Sequence, residues 1–157
     1  MEREDLLFKL NWFYSLEVSQ VDLYLAQSKR FKGTYESIVF ARTAAVEQQH
    51  VEKLAVIIRE LGGEPHQIGD VISPLFGGLL GKTLAFTGLK NTLQGNITIE
   101  NKAMTDYVAL LQRVGAEFGP ELQTILQHNL VDEDVHTAWF VQRLADYELL
   151  ELLKRSD

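Results

Sequence analysis

The stretch Thr43-Ala44-Ala45-Val46-Glu47-Gln48-Gln49-His50-Val51 decides how this chain is read. It holds no glycine or proline, and its glutamate stands three residues before its histidine. On a helix the two side chains therefore share a face, one turn apart. The same spacing returns at Glu133-Asp134-Val135-His136. Each copy also has a lone glutamate on an earlier helical stretch: Glu17 before the first, Glu100 before the second. Four carboxylates and two imidazoles in this order match the ligand set of a dinuclear metal site inside a four-helix bundle. A single Glu-x-x-His is a weak pattern of common residues, whereas two copies with matching upstream glutamates are specific.

Working outward, the sequence predicts an all-α chain with helices over about 4–30, 35–61, 92–116 and 120–154. The first carries its apolar stripe at Leu6, Leu10, Phe13, Leu16, Leu23 and Leu25 and breaks at Phe31-Lys32-Gly33-Thr34, with Thr34 as the N-cap of the second. The second stops at Gly62-Gly63, with Pro65 just beyond. Pro120 suits the first residue of the last helix. Short turns make helices 1 and 2 one antiparallel hairpin and helices 3 and 4 another. Glu17 and the Glu47/His50 pair are placed symmetrically about the first turn, and Glu100 and the Glu133/His136 pair about the second. Both sets then lie level across their hairpins, roughly 23–26 Å from the turns at about 1.5 Å per residue. Tyr24 and Tyr107 each follow their glutamate by seven residues, which places them as possible neighbours of the ligands.

The 157 residues suit one domain, taken as 1–157, with a substantial core. With no cysteine, structural disulfides and thiolate-bound metal are excluded. A net charge of −7 without a basic cluster argues against nucleic acid as partner. The acidic, amphipathic start MEREDLLFKL is unlike a signal peptide, so a cytoplasmic protein is expected. His66 and His128 have no matching partners and are left without a role.

Between the hairpins, 62–91 is long enough to carry the chain back along the bundle so that helix 3 runs in the same direction as helix 2. Its apolar part, 71–89, contains VISPLFGGLLGKTLAFTGL. Three readings stand: a short crossover helix packed on the bundle, an interface in a homodimer, or a peripheral contact with a membrane or hydrophobic ligand.

Carboxylates combined with imidazole favour iron and manganese. On this reading Glu47 and Glu133 bridge two metals, Glu17 and His50 complete one, and Glu100 and His136 complete the other. Few protein ligands per ion leave positions open for dioxygen, peroxide or water.

The order Glu, Glu-x-x-His, Glu, Glu-x-x-His resembles the ferritin-like di-iron carboxylate superfamily over nearly the whole chain. The intervals from Glu17 to Glu47, Glu100 and Glu133 are most similar to those of the demethoxyubiquinone hydroxylases, whose Gly-rich apolar crossover resembles SPLFGGLLGKTLAFTGLKN. Rubrerythrin and bacterioferritin bundles are similar as well. The chain departs from the hydroxylases at Tyr14-Ser15-Leu16-Glu17-Val18, where they carry an Asp-His-Ala-Gly-Glu type of sequence, and it lacks a second histidine after His136. The resemblance implies two iron ions, with manganese or a mixed iron–manganese pair as variants. It also implies an oxidoreductase that activates dioxygen or peroxide with electrons from a donor the sequence does not name. A ferroxidase or storage protein is the alternative, and an interaction domain that merely keeps the fold is the third.

Overall fold

The computed structural model describes residues 1–78, 86–115 and 118–156. Four long helices account for most of them: α1 (Arg3–Arg30), α2 (Tyr35–Glu60), α3 (Gly88–Leu111) and α4 (Pro120–Lys154). No strand occurs among the described residues. α1 packs along α2 and α3 along α4, with lighter contacts from α2 to α4 and from α1 to α3.

Local chemistry sets the ends of these helices. Thr34 Oγ1 accepts from Ser37 N–H at 3.3 Å and caps α2 as its sequence suggests. Gly33 turns the chain just before it at φ +88°, a conformation in which a Cβ would be strained. Pro120 occupies the first turn of α4, where its missing N–H costs nothing.

α3 differs from the sequence reading at both ends. It starts at Gly88 rather than near 92, because Thr92 Oγ1 donates back to Gly88 O at 2.8 Å and Asn91 Nδ2 to Thr87 Oγ1 at 3.1 Å. These bonds hold a first turn that its glycine would otherwise weaken. The helix closes at Leu111 rather than 116, where Arg113 N–H and Val114 N–H both return to Leu110 O. Residues 116–117 lie outside the described residues.

The pairing across hairpins fixes the directions. From the end of α1 to its start, Gln27 meets Asn96, Tyr24 meets Glu100, Glu17 meets Tyr107 and Asp5 meets Arg113, so α1 and α3 are antiparallel. Glu36 with Arg143 and His50 with Asp132 show the same for α2 and α4. Around the bundle in the order α1, α2, α4, α3 every neighbour is antiparallel, a four-helix arrangement that requires the long connection after α2 to climb the full length.

That connection rises beside α1. Asn11 Oδ1 accepts from His66 N–H at 2.8 Å, and Ser15 Oγ accepts from Ile68 N–H at 2.8 Å. Asp70 then caps a 3-10 turn at Ser73–Phe76 through Ile72 N–H and Ser73 N–H. Residues 79–85, in the middle of the expected apolar crossover helix, lie outside the described residues. Beyond them Phe86 rests on Gly95 of α3. No described helix is long and apolar enough to cross a membrane.

The apolar interior comes in two parts. Leu6, Leu10, Phe13, Leu54, Ile58, Tyr107, Leu122 and Leu126 belong to one cluster, and Tyr24, Phe40, Ala44, Leu93 and Phe140 to the other. A layer of buried charged side chains separates them.

Candidate metal centre

The layer consists of the six residues singled out by spacing. Glu17, Glu47, His50, Glu100 and Glu133 are fully buried and His136 is 8% exposed. Each helix contributes from its inner face. α1 and α3 give one glutamate each, while α2 and α4 give a glutamate and the histidine one turn later.

Geometry sorts the six into two overlapping groups. Glu17, Glu47, His50 and Glu133 each present one ligand atom within a span of 4.8 Å, as do Glu47, Glu100, Glu133 and His136. Glu47 directs Oε2 at His50 Nδ1 and Oε1 at His136 Nδ1, both at 3.0 Å. Glu133 does likewise, with Oε1 3.3 Å from His50 Nδ1 and Oε2 4.0 Å from His136 Nδ1. Glu17 Oε2 lies only on the His50 side, at 3.6 Å, and Glu100 Oε2 only on the His136 side, at 3.9 Å.

The approaches at 3.0–3.3 Å lack hydrogen-bond angles, and those at 3.6–4.0 Å are too long for hydrogen bonds. Both oxygens of Glu47 and Glu133, Oε2 of Glu17 and Glu100, and Nδ1 of both histidines are buried without a hydrogen-bond partner. Buried polar atoms are rarely left so, and each costs about 1–3 kcal/mol or more when charged. Eight of them converging on one point is the arrangement of a cation site. Oxygen and imidazole nitrogen donors suit a divalent or trivalent first-row metal ion. The residues fit such an ion.

Protonation reflects the crowding. Burial and the charge of Glu17 push the Glu47 carboxyl well above the ordinary range. Burial and the charge of Glu133 do the same to Glu100. Glu133 is raised to about 8 by burial and by the charges of Glu47 and Glu17. Burial opposes charge on Glu17 too, but His50 outweighs it and holds Glu17 low. His50 is strongly raised, since Glu133, Glu17 and Glu47 overcome its burial. His136 is lowered, chiefly by burial. Without metal the cluster therefore keeps protons that an ion would displace.

Tyr24 and Tyr107 take part, crosswise. Tyr24 Oη–H donates to Glu100 Oε1 and Tyr107 Oη–H to Glu17 Oε1, so each phenol serves the glutamate of the other hairpin rather than the one on its own helix face. Asn129 Nδ2 donates to the Tyr107 oxygen at 3.1 Å. On one side of the layer, Gln27 and Asn96 close the α1–α3 contact with a reciprocal amide pair, both bonds 2.8 Å.

Two neighbours escaped the sequence reading. Asp132 Oδ2 lies 3.0 Å from His50 Nε2, on the side of the ring away from the cluster. In the sequence it is one more acid in the run Asp132-Glu133-Asp134, with nothing to separate it from a solvent-facing charge. Gln20 is fully buried with both amide atoms unpartnered, three residues after Glu17 on the inner stripe. A polar residue at an inner position is the signal that marks it. His66 and His128 stand apart from the cluster: the His66 ring meets Glu64 O on the crossover, and His128 is exposed.

Together these features define an all-helical bundle with a buried acidic–histidine cluster able to hold metal. No family model and no curated protein matches the chain.

Proposed function

We propose that this chain is a ferritin-like di-metal carboxylate protein and that it works as an oxidoreductase on dioxygen or peroxide with two iron ions. The observation that carries the reading is the way Glu47 and Glu133 each face both histidines with separate oxygens, as carboxylates shared by two adjacent ions must. Glu17 with His50 would complete one ion and Glu100 with His136 the other. When bound, the metal pair supplies redox equivalents and open positions for the oxidant.

The chain's own residues prepare that chemistry. Helical backbones on four sides hold the ligands at one level, so little ordering remains when metal arrives. Tyr24 and Tyr107 each engage one oxygen of Glu100 and Glu17, leaving Oε2 of both free for metal. Asp132 orients the His50 ring and favours the tautomer with Nδ1 turned to the metal. The two apolar clusters on either side keep bulk water from the layer.

The test is anaerobic loading with Fe(II) followed by dioxygen or peroxide. About two iron per chain and the absorption of an oxo-bridged diferric pair are expected. Tight zinc uptake with an inert iron form would overturn the redox assignment. Rapid iron oxidation in a very large shell-like particle would favour the ferroxidase and storage alternative instead.

A further inference from the structure

The chain has two tryptophans, and a phenylalanine follows each: Trp12-Phe13 on α1 and Trp139-Phe140 on α4. The dipeptides lie on opposite sides of the charged layer, Phe13 in one apolar cluster and Phe140 in the other. Trp12 meets Phe13 edge-on at 5.1 Å, and Phe13 stacks on Tyr107 at 4.0 Å with ring planes 19° apart. Trp139 meets Phe140 at 5.6 Å, and Phe140 lies 5.9 Å from Tyr24. Both tyrosines donate to cluster carboxylates, Tyr107 to Glu17 and Tyr24 to Glu100. Two continuous aromatic paths result, one to each half of the cluster, and each begins at a partly exposed indole.

Core packing accounts for Phe13 and Phe140 as apolar filling. It gives no reason for the two indoles to stand at the outer ends of paths whose inner ends are phenols bonded to the cluster. Indole and phenol are the side chains most readily oxidised by one electron at an aromatic ring. Electron tunnelling falls steeply with distance, and ring contacts keep each step short.

We propose that these paths carry single electrons from the surface to the metal centre, with Trp12 and Trp139 as the entry points for a small soluble one-electron reductant. The inference rests on the reading of the cluster as a redox metal site. A groove of about 240 Å³ lined by Trp12, Lys9, Lys102 and Arg113 gives such a reductant room beside the first indole. A cavity of about 190 Å³ lined by Trp139, Arg42 and Val46 does so beside the second. Hydrogen peroxide takes two electrons and two protons to become two waters. Each indole supplies one electron and its N–H proton, leaving two neutral tryptophanyl radicals. Two molecules of the reductant and two protons from water then restore them. Lys102 Nζ lies 4.7 Å over the Trp12 ring and is paired with Asp106 in the same groove, and the indole proton departs with the electron so that the ring stays neutral.

The experiment uses the full chain loaded with two iron ions and first oxidised to the diferric form, so that the two electrons peroxide needs are not supplied by Fe(II). It is then given one equivalent of hydrogen peroxide and followed by freeze-quenched electron paramagnetic resonance. Wild type should show a tryptophanyl signal, reduced in Trp12→Phe and in Trp139→Phe and absent from the double variant. Phe13→Leu, which keeps apolar bulk without a ring, should behave like Trp12→Phe. Ascorbate-driven peroxide reduction should drop about tenfold in the double variant while its metal stoichiometry stays at the wild-type value. Peptide mass spectrometry should find oxygenated Trp12 and Trp139 in iron-loaded protein and not in zinc-loaded protein. An undiminished rate in the double variant, or equal indole oxidation with zinc, overturns the proposal. Normal metal uptake and peroxide consumption with no indole radical defeats this inference alone, whereas failure of wild type to take up two metals defeats the proposed function with it.

Discussion

Asp132 holds His50 from behind: its Oδ2 lies 3.0 Å from Nε2 while Nδ1 of the same ring faces three glutamates. Among the described residues no carboxylate holds His136 in the same way; that ring instead lines the cavity with Val46 and Val135. The two halves of the cluster thus share a ligand set and differ in support. Carboxylates behind a ligating histidine typically raise metal affinity about 10–100-fold. Asp132→Asn should therefore weaken one of two binding events by about that factor and leave the other unchanged. Calorimetric titration with Zn(II) or Mn(II) reads this directly, and equal weakening of both events would count against it. Asp132 is 41% exposed, so the variant should fold normally.

Shared and unshared carboxylates should behave differently on removal. Glu47 and Glu133 each face both histidines, whereas Glu100 approaches only His136. After dialysis, Glu47→Gln and Glu133→Gln should retain less than one metal per chain by elemental analysis, and Glu100→Gln about one. The metal-free Glu47→Gln protein should melt at or above wild type near pH 8, because the substitution removes a carboxyl that burial and Glu17 already oppose. Each ~1 kcal/mol gained moves the melting temperature of a chain this size by about 2–4 °C. A metal-free variant that melts well below wild type would show that the glutamate is needed for folding rather than for metal.

The pH dependence has a definite sign. Glu47, Glu100 and Glu133 have folded pKa values raised above the ordinary carboxyl value of about 4.3. His50 is raised above the ordinary imidazole value. All four bind more protons folded than unfolded within their windows, so their contribution is fully favourable below the unfolded values and is lost as pH rises through the folded ones. Glu17 and His136, both lowered, act in the opposite direction but are outnumbered. Metal-free protein should lose stability between mildly acidic solution and pH about 8, the value to which Glu133 is raised. Metal displaces those protons, so the melting-temperature gap between zinc-loaded and metal-free protein should widen over the same range. Zinc titrations in buffers of different ionisation enthalpy should register proton release. A gap that narrows with rising pH contradicts the assignment of these carboxyls as ligands.

Periodicity made the helices and the level placement of the six residues legible, because ligand spacing within a helix and symmetry about a turn are both one-dimensional properties. What the sequence did not reveal is what passes between helices. Tyr24 and Tyr107 follow their own glutamates by two turns, yet each reaches the other hairpin's glutamate, since the antiparallel register of α1 and α3 sets Tyr24 opposite Glu100 and Glu17 opposite Tyr107. Asp132 was hidden by its acidic neighbours and is marked only by the approach of α2 to α4. The early start of α3 was obscured by Gly88, which reads as a breaker until the Thr92 and Asn91 side-chain bonds are seen.

Gly95 shows the same limit and yields a prediction about the crossover. It stands inside α3, where glycine usually weakens a helix by about 1 kcal/mol relative to alanine. Propensity alone would make Gly95→Ala stabilising. A Cβ there, however, would lie 2.5 Å from Phe86 Cε1, and Phe86 is itself packed against Phe76 at 5.5 Å. The ring would have to move, and overpacking of this kind costs about 1–3 kcal/mol. Gly95→Ala should therefore lower stability by a net ~0–2 kcal/mol, with faster hydrogen exchange at Ile72 and Leu75 and little change around Glu47. Gly95→Ala combined with Phe86→Ala removes the clash and should recover the helix gain, so that in the Phe86→Ala background the alanine becomes stabilising. If the alanine is destabilising by the same amount in both backgrounds, the contact between the crossover and α3 is not what selects glycine at this position.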